Sequence, residues 1–384
     1  MSSPRAPLDV LDLVPISSGS SAAEALRNTI DLAGRAEELG YRRYWFAEHH
    51  LNPGVAGTSP ALLIAIVAAT TRTIRLGSGG VQSGHRTALS VVEEFGLIDA
   101  LYPGRIDLGL GRSGGRNFMR DRQSGVAQTG SPPAHRVRPS RHYTDNGLLI
   151  PERPSFKRML QSPRVALNAE LLQQAEAESA DYGELLETIA GLLDGTYRST
   201  TGLDPHPVPG QGADVELWVL GSSGGESASV AGRLGLRFAA NYHLSPATVI
   251  ESADAYRAAF VPSAHLPRPY VAVSADVVVG PDEASAHELA AGYGLWVRSI
   301  RSGEGAIEFP TPGQAASHRW TDEDRDLVAD RVDTQFVGSP ETVVGQLERL
   351  QDATEADELV ITTITHDHAD RVRSYELLAN AWFG

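Results

Sequence analysis

The chain has 384 residues, 41% hydrophobic and 21% charged, an ordinary globular composition that suits one large barrel or two average domains and buries a sizeable core unaided. It contains no cysteine, which excludes disulfides, thiolate metal centres, iron–sulfur clusters and cysteine nucleophiles, and its one lysine, Lys157, leaves Schiff-base and P-loop schemes almost nothing to use. A formal net charge of −15 argues against a nucleic-acid or anionic-membrane partner.

Met1-Ser2-Ser3-Pro4-Arg5 leads directly into an apolar run at 8–14. That run is short and broken by Asp9 and Asp12, so it is neither a signal nor a membrane span, and a cytoplasmic location is expected. Further short apolar, β-branched runs follow at 43–47, 74–80, 105–110, 215–220, 236–241, 270–279 and 358–363. Between them, helical spacing of apolar residues covers 21–39, 59–71, 87–101, 181–194, 224–235, 246–260, 281–299, 339–352 and 368–382. Strict alternation of strand and helix predicts an α/β protein with a parallel sheet covered on both faces. Eight such units predict a closed (β/α)8 TIM barrel spanning 1–384 as a single domain.

The stretch from about 112 to 180 breaks the rhythm. It holds Pro132-Pro133, Pro139, Pro151, Pro154 and many arginines, with no strand before 215 and a helix expected over 164–178. An insertion this long after strand four (about 113–180) leaves a strand at the mouth of the barrel and reads as a lid, the alternative being an oligomer contact or a disordered surface loop. Phe118, Met119, Tyr143 and Phe156 lie within it, as do Arg136, Arg138 and Arg141.

In a barrel of this type the carboxyl ends of the strands form the reactive face. Those ends carry Glu48-His49-His50, Gly79-Gly80 with His85-Arg86, Gly111-Arg112, Gly221-Ser222-Ser223-Gly224-Gly225-Glu226-Ser227, Asn241-Tyr242-His243 and Thr362 to His366. The opposite ends are led by plainer residues such as Arg43, Arg75 and Arg105. Small residues at 221–225 running into a helix are suited to hold a phosphate by backbone N–H groups and helix dipole, with Arg112 beside it. The same residues would also serve a tight βα turn with a serine N-cap. Gly109-Leu110-Gly111-Arg112-Ser113-Gly114 matches GxGxxG, but no helix follows at once and no acidic residue ends the next strand, so a dinucleotide site is not expected. Successive strand residues face opposite ways, which parts His49 from His50, and Asp367 between His366 and His368 serves as well for a helix cap; no metal is expected.

The segments Ala36-Glu37-Glu38-Leu39-Gly40-Tyr41, Tyr44-Trp45-Phe46-Ala47-Glu48-His49-His50, Ile74 to Val81, and Leu101-Tyr102-Pro103-Gly104-Arg105 through Arg112 together resemble the bacterial luciferase-like flavin monooxygenases. Glu226-Ser227-Ala228-Ser229 and Phe336-Val337-Gly338-Ser339-Pro340 resemble later motifs of the same family. The resemblance implies FMN as cofactor, reduced by a separate flavin reductase, and a flavin C4a-peroxide that transfers oxygen from O2 to a small organic substrate. It implies a cis peptide at Gly79-Gly80 against the flavin, Arg112, Glu226 and Ser227 around the phosphate, Asn241 near the ring, and His49 as the catalytic histidine. Val230 stands where the luciferase itself has a phosphate-contacting threonine, which shifts the expectation toward Ser222, Ser223 and the amide of Gly225. Relatives are often dimeric, so a homodimer is expected. The alternatives are an F420-dependent oxidoreductase on the same barrel, a non-catalytic flavin-binding protein and, on a different chemistry, a metal-dependent hydrolase.

Overall fold

A computed structural model describes residues 4–112, 140–172 and 180–384. Eight parallel strands run in chain order and close on themselves: β1 (Leu8–Asp12), β2 (Arg43–Phe46), β3 (Arg75–Ser78), β4 (Ile106–Gly111), β5 (Val215–Gly221), β6 (Arg237–Asn241), β7 (Val271–Val279) and β8 (Glu358–Thr362). Each hydrogen-bonds to its successor, and Leu8↔Leu359 through Val10↔Ile361 joins β8 back to β1. This is the expected (β/α)8 barrel, and each predicted strand run contains one barrel strand. Among the described residues no helix is long and apolar enough to cross a membrane.

Helices pack outside the strands. The first three are α1 (Ala22–Glu38), α2 (Pro60–Ala68) and α3 (Ala88–Leu101). The Ser21 side chain accepts from the Glu24 N–H to start α1, and Gly40 at φ +84° turns the chain out of it. One oxygen of Glu37 then accepts from the backbone N–H groups of Arg72, Thr73 and Ile74 and from the Thr73 hydroxyl, tying α1 to the entry of β3. Desolvation opposes its charge, but those bonds outweigh it and bring its pKa to about 2. At the seam between first and last units, buried Asp12 accepts from Thr29, Tyr44 and the Val14 N–H and pairs with Arg371 at 2.8 Å. Arg371 lies on the last helix, α11 (His368–Phe383), so this clamp fastens the barrel shut.

Side chains alternate across each strand, and the inward ones lie in layers of different chemistry. The amino-terminal layer corrects the expectation of plain residues there. Arg43, fully buried, bonds Asp107 at 2.6 Å, Glu358 at 2.9 Å and Glu216 at 3.1 Å; Arg75 also pairs with Asp107, and Arg237 with Glu216. Burial and the Glu358 carboxylate push Asp9 well above the usual carboxylate range. Above it lies an aromatic layer, where Trp45 and Trp218 meet edge to face at 5.3 Å between centroids and the Arg43 guanidinium covers Trp218. Gly77 leaves room for this layer: a Cβ there would sit 2.6 Å from Trp45 Cε3. The third layer, at the carboxyl ends, is polar and open.

Several connections differ from the sequence expectation. The helix expected over 281–299 is two, α7 (Glu283–Ala290) and α8 (Tyr293–Ser302), parted at Gly292, where a Cβ would lie 2.8 Å from Phe309 and from Pro310 O. Two unforeseen helices, Pro312–Ser317 and α9 (Asp322–Val332), begin at capping boxes, Thr311/Gln314 and Thr321/Asp324, which are legible in sequence. Short strands Val81–Gln82 and Phe336–Gly338 add to β4 and β7. The predicted insertion contains an antiparallel ribbon, His142–Tyr143 with Leu149–Ile150, where no strand was expected. Leu148, Leu149 and Ile150 are buried, the Tyr242 hydroxyl donates to Leu149 O at 2.7 Å, and Asn146 donates to Arg349 O on α10 (Pro340–Thr354). Arg141 pairs with Asp333, and Phe156 lies under the Arg301 guanidinium. The helix expected over 164–178 runs Pro163–Leu172; its remainder, and Phe118, Met119, Arg136 and Arg138, lie outside the described residues.

Candidate active site

β4 and β5 end side by side, with Gly111 opposite Leu220, and their loops make an anion-ready corner. The helix after β5, α5 (Glu226–Arg233), has Gly225 as its N-cap and no side-chain cap. The alternative of a serine-capped turn therefore does not apply, and the first N–H groups of α5 point outward without a side-chain acceptor. Ser222, Ser223, Gly225 and Glu226 are exposed around this end and Ser227 is half-buried. Glycine is required where the loop hugs the barrel: a Cβ on Gly221 would lie 2.8 Å from the Phe238 ring. The Arg112 guanidinium reaches across from β4 and pairs with the Glu226 carboxylate. Val230 is buried and turned into the core, away from the corner.

Tyr182, which the sequence reading missed, belongs to this corner. It opens α4 (Tyr182–Asp194), is buried, and donates to Leu110 O at 3.0 Å, with Ser227, Arg112 and Glu226 around its hydroxyl. Burial pushes its pKa up, so the phenol stays a donor. Its place at a helix start facing strand four was legible, but its partner loop, far along the chain, was not.

The Gly79-Gly80 peptide is cis, as expected. Gly80 is packed against backbone, where a Cβ would meet Gly109 O at 2.9 Å, and a Cβ on Gly79 would press Leu11 Cδ1 at 2.9 Å. Across the mouth, Asn241 Nδ2 donates to Gly221 O at 3.1 Å, while Asn241 Oδ1 is buried with no partner among the described residues. Thr362 Oγ1 at the end of β8 is in the same condition. Buried polar atoms of this kind ordinarily have a partner, and these two stand at the carboxyl ends of β6 and β8, where a ligand could supply one.

His49 follows β2, its backbone N–H bonded to Gly57 O and its Nδ1 sealed without a partner. Burial first, then neighbouring His50, pull its pKa down to about 4 against the pull of Glu48. His50 points elsewhere, although β2 has already ended at Phe46 and strand alternation reaches neither histidine. Its Nε2 lies 2.9 Å from Glu48 Oε1, the His85 Nε2 lies 3.1 Å from the same oxygen, and the Gln82 N–H binds Glu48 Oε2. Despite desolvation, these bonds hold the Glu48 pKa at about 2. Ligand atoms of Glu48, His50 and His85 lie within 4.8 Å of one another, a spacing that a metal ion can use. Both imidazoles nevertheless share one carboxylate oxygen with Arg86 at 3.9 Å, which makes the group a hydrogen-bonded brace between the loops after β2 and β3. His366 and His368 bind separate partners, Ser18 O and Asp31, and Asp367 caps α11.

A further imidazole enters from β6. His243 Nδ1 is 2.6 Å from Ser274 Oγ on β7, below a buried group of Asp276, Tyr293 and Arg331. β6 ends at Asn241, and the turn that follows brings His243 to β7, its backbone N–H on Ser274 O at 3.1 Å.

Similarity to known proteins fits this geometry. The sequence pattern described as luciferase-like monooxygenase matches residues 7–144 and 171–355. A luciferase-like monooxygenase of Escherichia coli is 32% identical over 370 residues, covering 96% of this chain and 94% of its own. The crystal structure of apo-MsnO8 superposes with a TM-score of 0.77 at 32% identity over 99% of both chains. Over a shorter stretch of 108 residues, 28% of this chain and 32% of the other, N-acetyl-S-alkylcysteine monooxygenase of Bacillus subtilis is 50% identical. More distant proteins share the fold, among them an FMN complex of the oxygenating constituent of 3,6-diketocamphane monooxygenase from Pseudomonas putida (TM-score 0.59, 19% identity, 98% of this chain and 97% of that one). An F420-dependent secondary alcohol dehydrogenase shares it too (TM-score 0.57, 13% identity, 98% and 99%). With the pattern spanning most of the barrel and full-length relatives above 30% identity, the chain belongs to the luciferase-like monooxygenase family.

Proposed function

We propose that the protein is an FMN-dependent monooxygenase that receives reduced FMN from a separate flavin reductase and uses O2 to oxygenate a small organic substrate. The observation that carries this reading is the uncapped N-terminus of α5 with Arg112 beside it. An anion finds there oriented N–H groups, a helix dipole and a guanidinium, with the Ser222, Ser223 and Ser227 hydroxyls close by. The polar layer beyond it suits the rest of a flavin: Asn241 and Thr362 offer buried polar atoms awaiting partners, and the Gly79-Gly80 backbone offers a surface without side chains. The chemistry supplied by bound reduced FMN is two-electron activation of O2, one oxygen atom going to the substrate and the other leaving as water. His49 is the proton-handling group of the site, neutral at physiological pH and open to the mouth through Nε2. The Glu48–His50–His85 brace holds the loop that carries it. The buried aromatic layer beneath closes the barrel floor to water.

Anaerobic titration with reduced FMN, followed by admission of air in an oxygen electrode, tests this. Oxygen uptake that yields oxygenated product only when reduced FMN is supplied is expected, with S-alkylcysteine derivatives included on the substrate panel. Steady anaerobic turnover with F420 would select the F420-dependent alternative and refute the monooxygenase reading.

The assembly proposed is a homodimer. α2, Pro-Ala-Leu-Leu-Ile-Ala-Ile-Val-Ala, is apolar on every side, a pattern expected of a helix covered all round. Leu62 and Ile66 nevertheless face outward beside Leu97 and Leu101 of neighbouring α3, one turn apart on each helix. A second copy of this chain, presenting the same face, would cover them.

A further inference from the structure

β2 and β6 are the second and sixth of eight strands, so they stand on opposite sides of the barrel, and His49 and His243 follow their carboxyl ends. Both side chains are half-buried, and His49 lies near enough to disfavour a charge on His243. The His243 ring is held from one side only. Ser274 Oγ is 2.6 Å from Nδ1, and Ser274 O accepts the His243 backbone N–H at 3.1 Å. Ser274 Oγ has no other hydrogen-bond partner among the described residues, and a donor role for its hydroxyl puts that hydrogen on Nδ1. A neutral imidazole that accepts at Nδ1 carries its own hydrogen on Nε2. That Nε2 has no protein partner among the described residues and is not sealed, which leaves it free to donate to a ligand. His49 reaches the same form by another route: a hydrogen on its sealed Nδ1 would be a buried donor with no acceptor, which places it on Nε2. Burial is the first reason that both rings stay neutral. Burial, then Arg331 on α9, then His49 bring the His243 pKa to about 3, while Asp276 on β7 is engaged by Arg331 and Tyr293, and Glu48 beside His49 is engaged by His50 and His85.

We propose that His243 is a hydrogen-bond donor of the active site, locked in its Nε2–H form by Ser274, and that with His49 it stabilises negative charge on a ligand held between them. This rests on the flavin reading, and it gives that reading a direction. Two neutral donors in a desolvated mouth favour the more negative of two ligand states, so the site prefers reduced to oxidised FMN. The pair is neutral and keeps this preference across the pH range in which both rings stay uncharged.

The test has two arms. In protein labelled with 15N-histidine and free of ligand, long-range 1H–15N correlations, assigned by His243→Gln, should show His243 as the Nε2–H tautomer from pH 5 to 8, and Ser274→Ala should leave a mixture of tautomers. An Nδ1–H pattern, or titration within that range, overturns the lock. In the second arm, dissociation constants are measured for oxidised and, anaerobically, reduced FMN. His243→Phe should lose about tenfold of the preference for reduced FMN, the difference between a hydrogen bond to a charged and to a neutral acceptor, and His243→Gln should recover most of it. Equal loss in both redox states, or none, overturns the donor role while leaving the flavin reading in place. Failure of the unaltered protein to bind FMN in either state, with the Nε2–H pattern intact, removes the flavin reading and with it the ligand assigned to the pair.

Discussion

Arg112 and Glu226 face each other where a phosphate would bind, with side chains 33% and 37% exposed, and they act on it in opposite senses. Replacing Arg112 by alanine removes a charged hydrogen-bonding partner worth about 1.5–3 kcal/mol. Partial exposure screens the pair, so the lower half of that range applies, a loss of about twelve- to fortyfold in FMN affinity. Glu226→Gln has the reverse sign. Its carboxylate occupies the Arg112 guanidinium and sets a negative charge beside the end of α5, where a phosphate carrying about two charges must approach. At screened surface separations that repulsion costs about 0.5–1.5 kcal/mol, so the glutamine, still able to accept from Arg112, should bind FMN about three- to tenfold more tightly. The double variant separates two routes: if Glu226 acts only by competing for Arg112, its replacement gains nothing once Arg112 is gone. Quenching of flavin fluorescence at fixed ionic strength measures all four proteins, and riboflavin, which lacks the phosphate, is the control. An Arg112→Ala protein that loses FMN and riboflavin affinity equally, or a Glu226→Gln protein that weakens FMN, would refute the phosphate corner.

Other consequences follow from the same structure. Arg43→Met strands Asp107 and Glu358 in the barrel floor and should cost about 3–5 kcal/mol in urea unfolding, part of it recovered by adding Glu358→Gln; a loss under about 1 kcal/mol would show that Arg75, Arg237 and Arg42 neutralise the cluster without it. The gap between that variant and the unaltered protein should narrow as pH falls from 7 toward 5, because stranded carboxylates can then take up protons. His49 and His243 have folded pKa values of about 4 and about 3, below the 6.5 of an unfolded histidine, so the unfolded chain binds more protons between these values. Stability should therefore be full above about pH 6.5 and decline as pH falls toward 4, less steeply in His243→Gln; an unchanged slope in that variant would count against a neutral, desolvated His243. Leu62→Glu with Leu97→Glu should turn a dimer into a folded monomer in light scattering, and an unchanged mass would place the assembly face elsewhere.

Strand periodicity, eight repeats of strand then helix, and the concentration of polar residues after the strands are local properties, and they were enough to read the barrel and its reactive face. Gly79-Gly80, Arg112, Asn241 and the loop at 222–227 were legible for the same reason: strand order and direction bring them to one end whatever the side chains later do. The long connection between β7 and β8 was read less well, because the break at Gly292 comes from the approach of Phe309 and Pro310, which no local pattern announces. The charge cluster at the amino end was misjudged, since Arg43, Arg75, Asp107, Glu216 and Glu358 look like ordinary surface residues until closure packs them into one buried layer. His243 is legible as a strand-end residue but its partner Ser274 is not, and Tyr182 is not, because their significance lies in partners on other strands and helices. Sequence decides which residues line one face of one strand; only closure of the sheet decides which faces meet across the barrel, because that distance is set by strand number, tilt and register and not by separation along the chain.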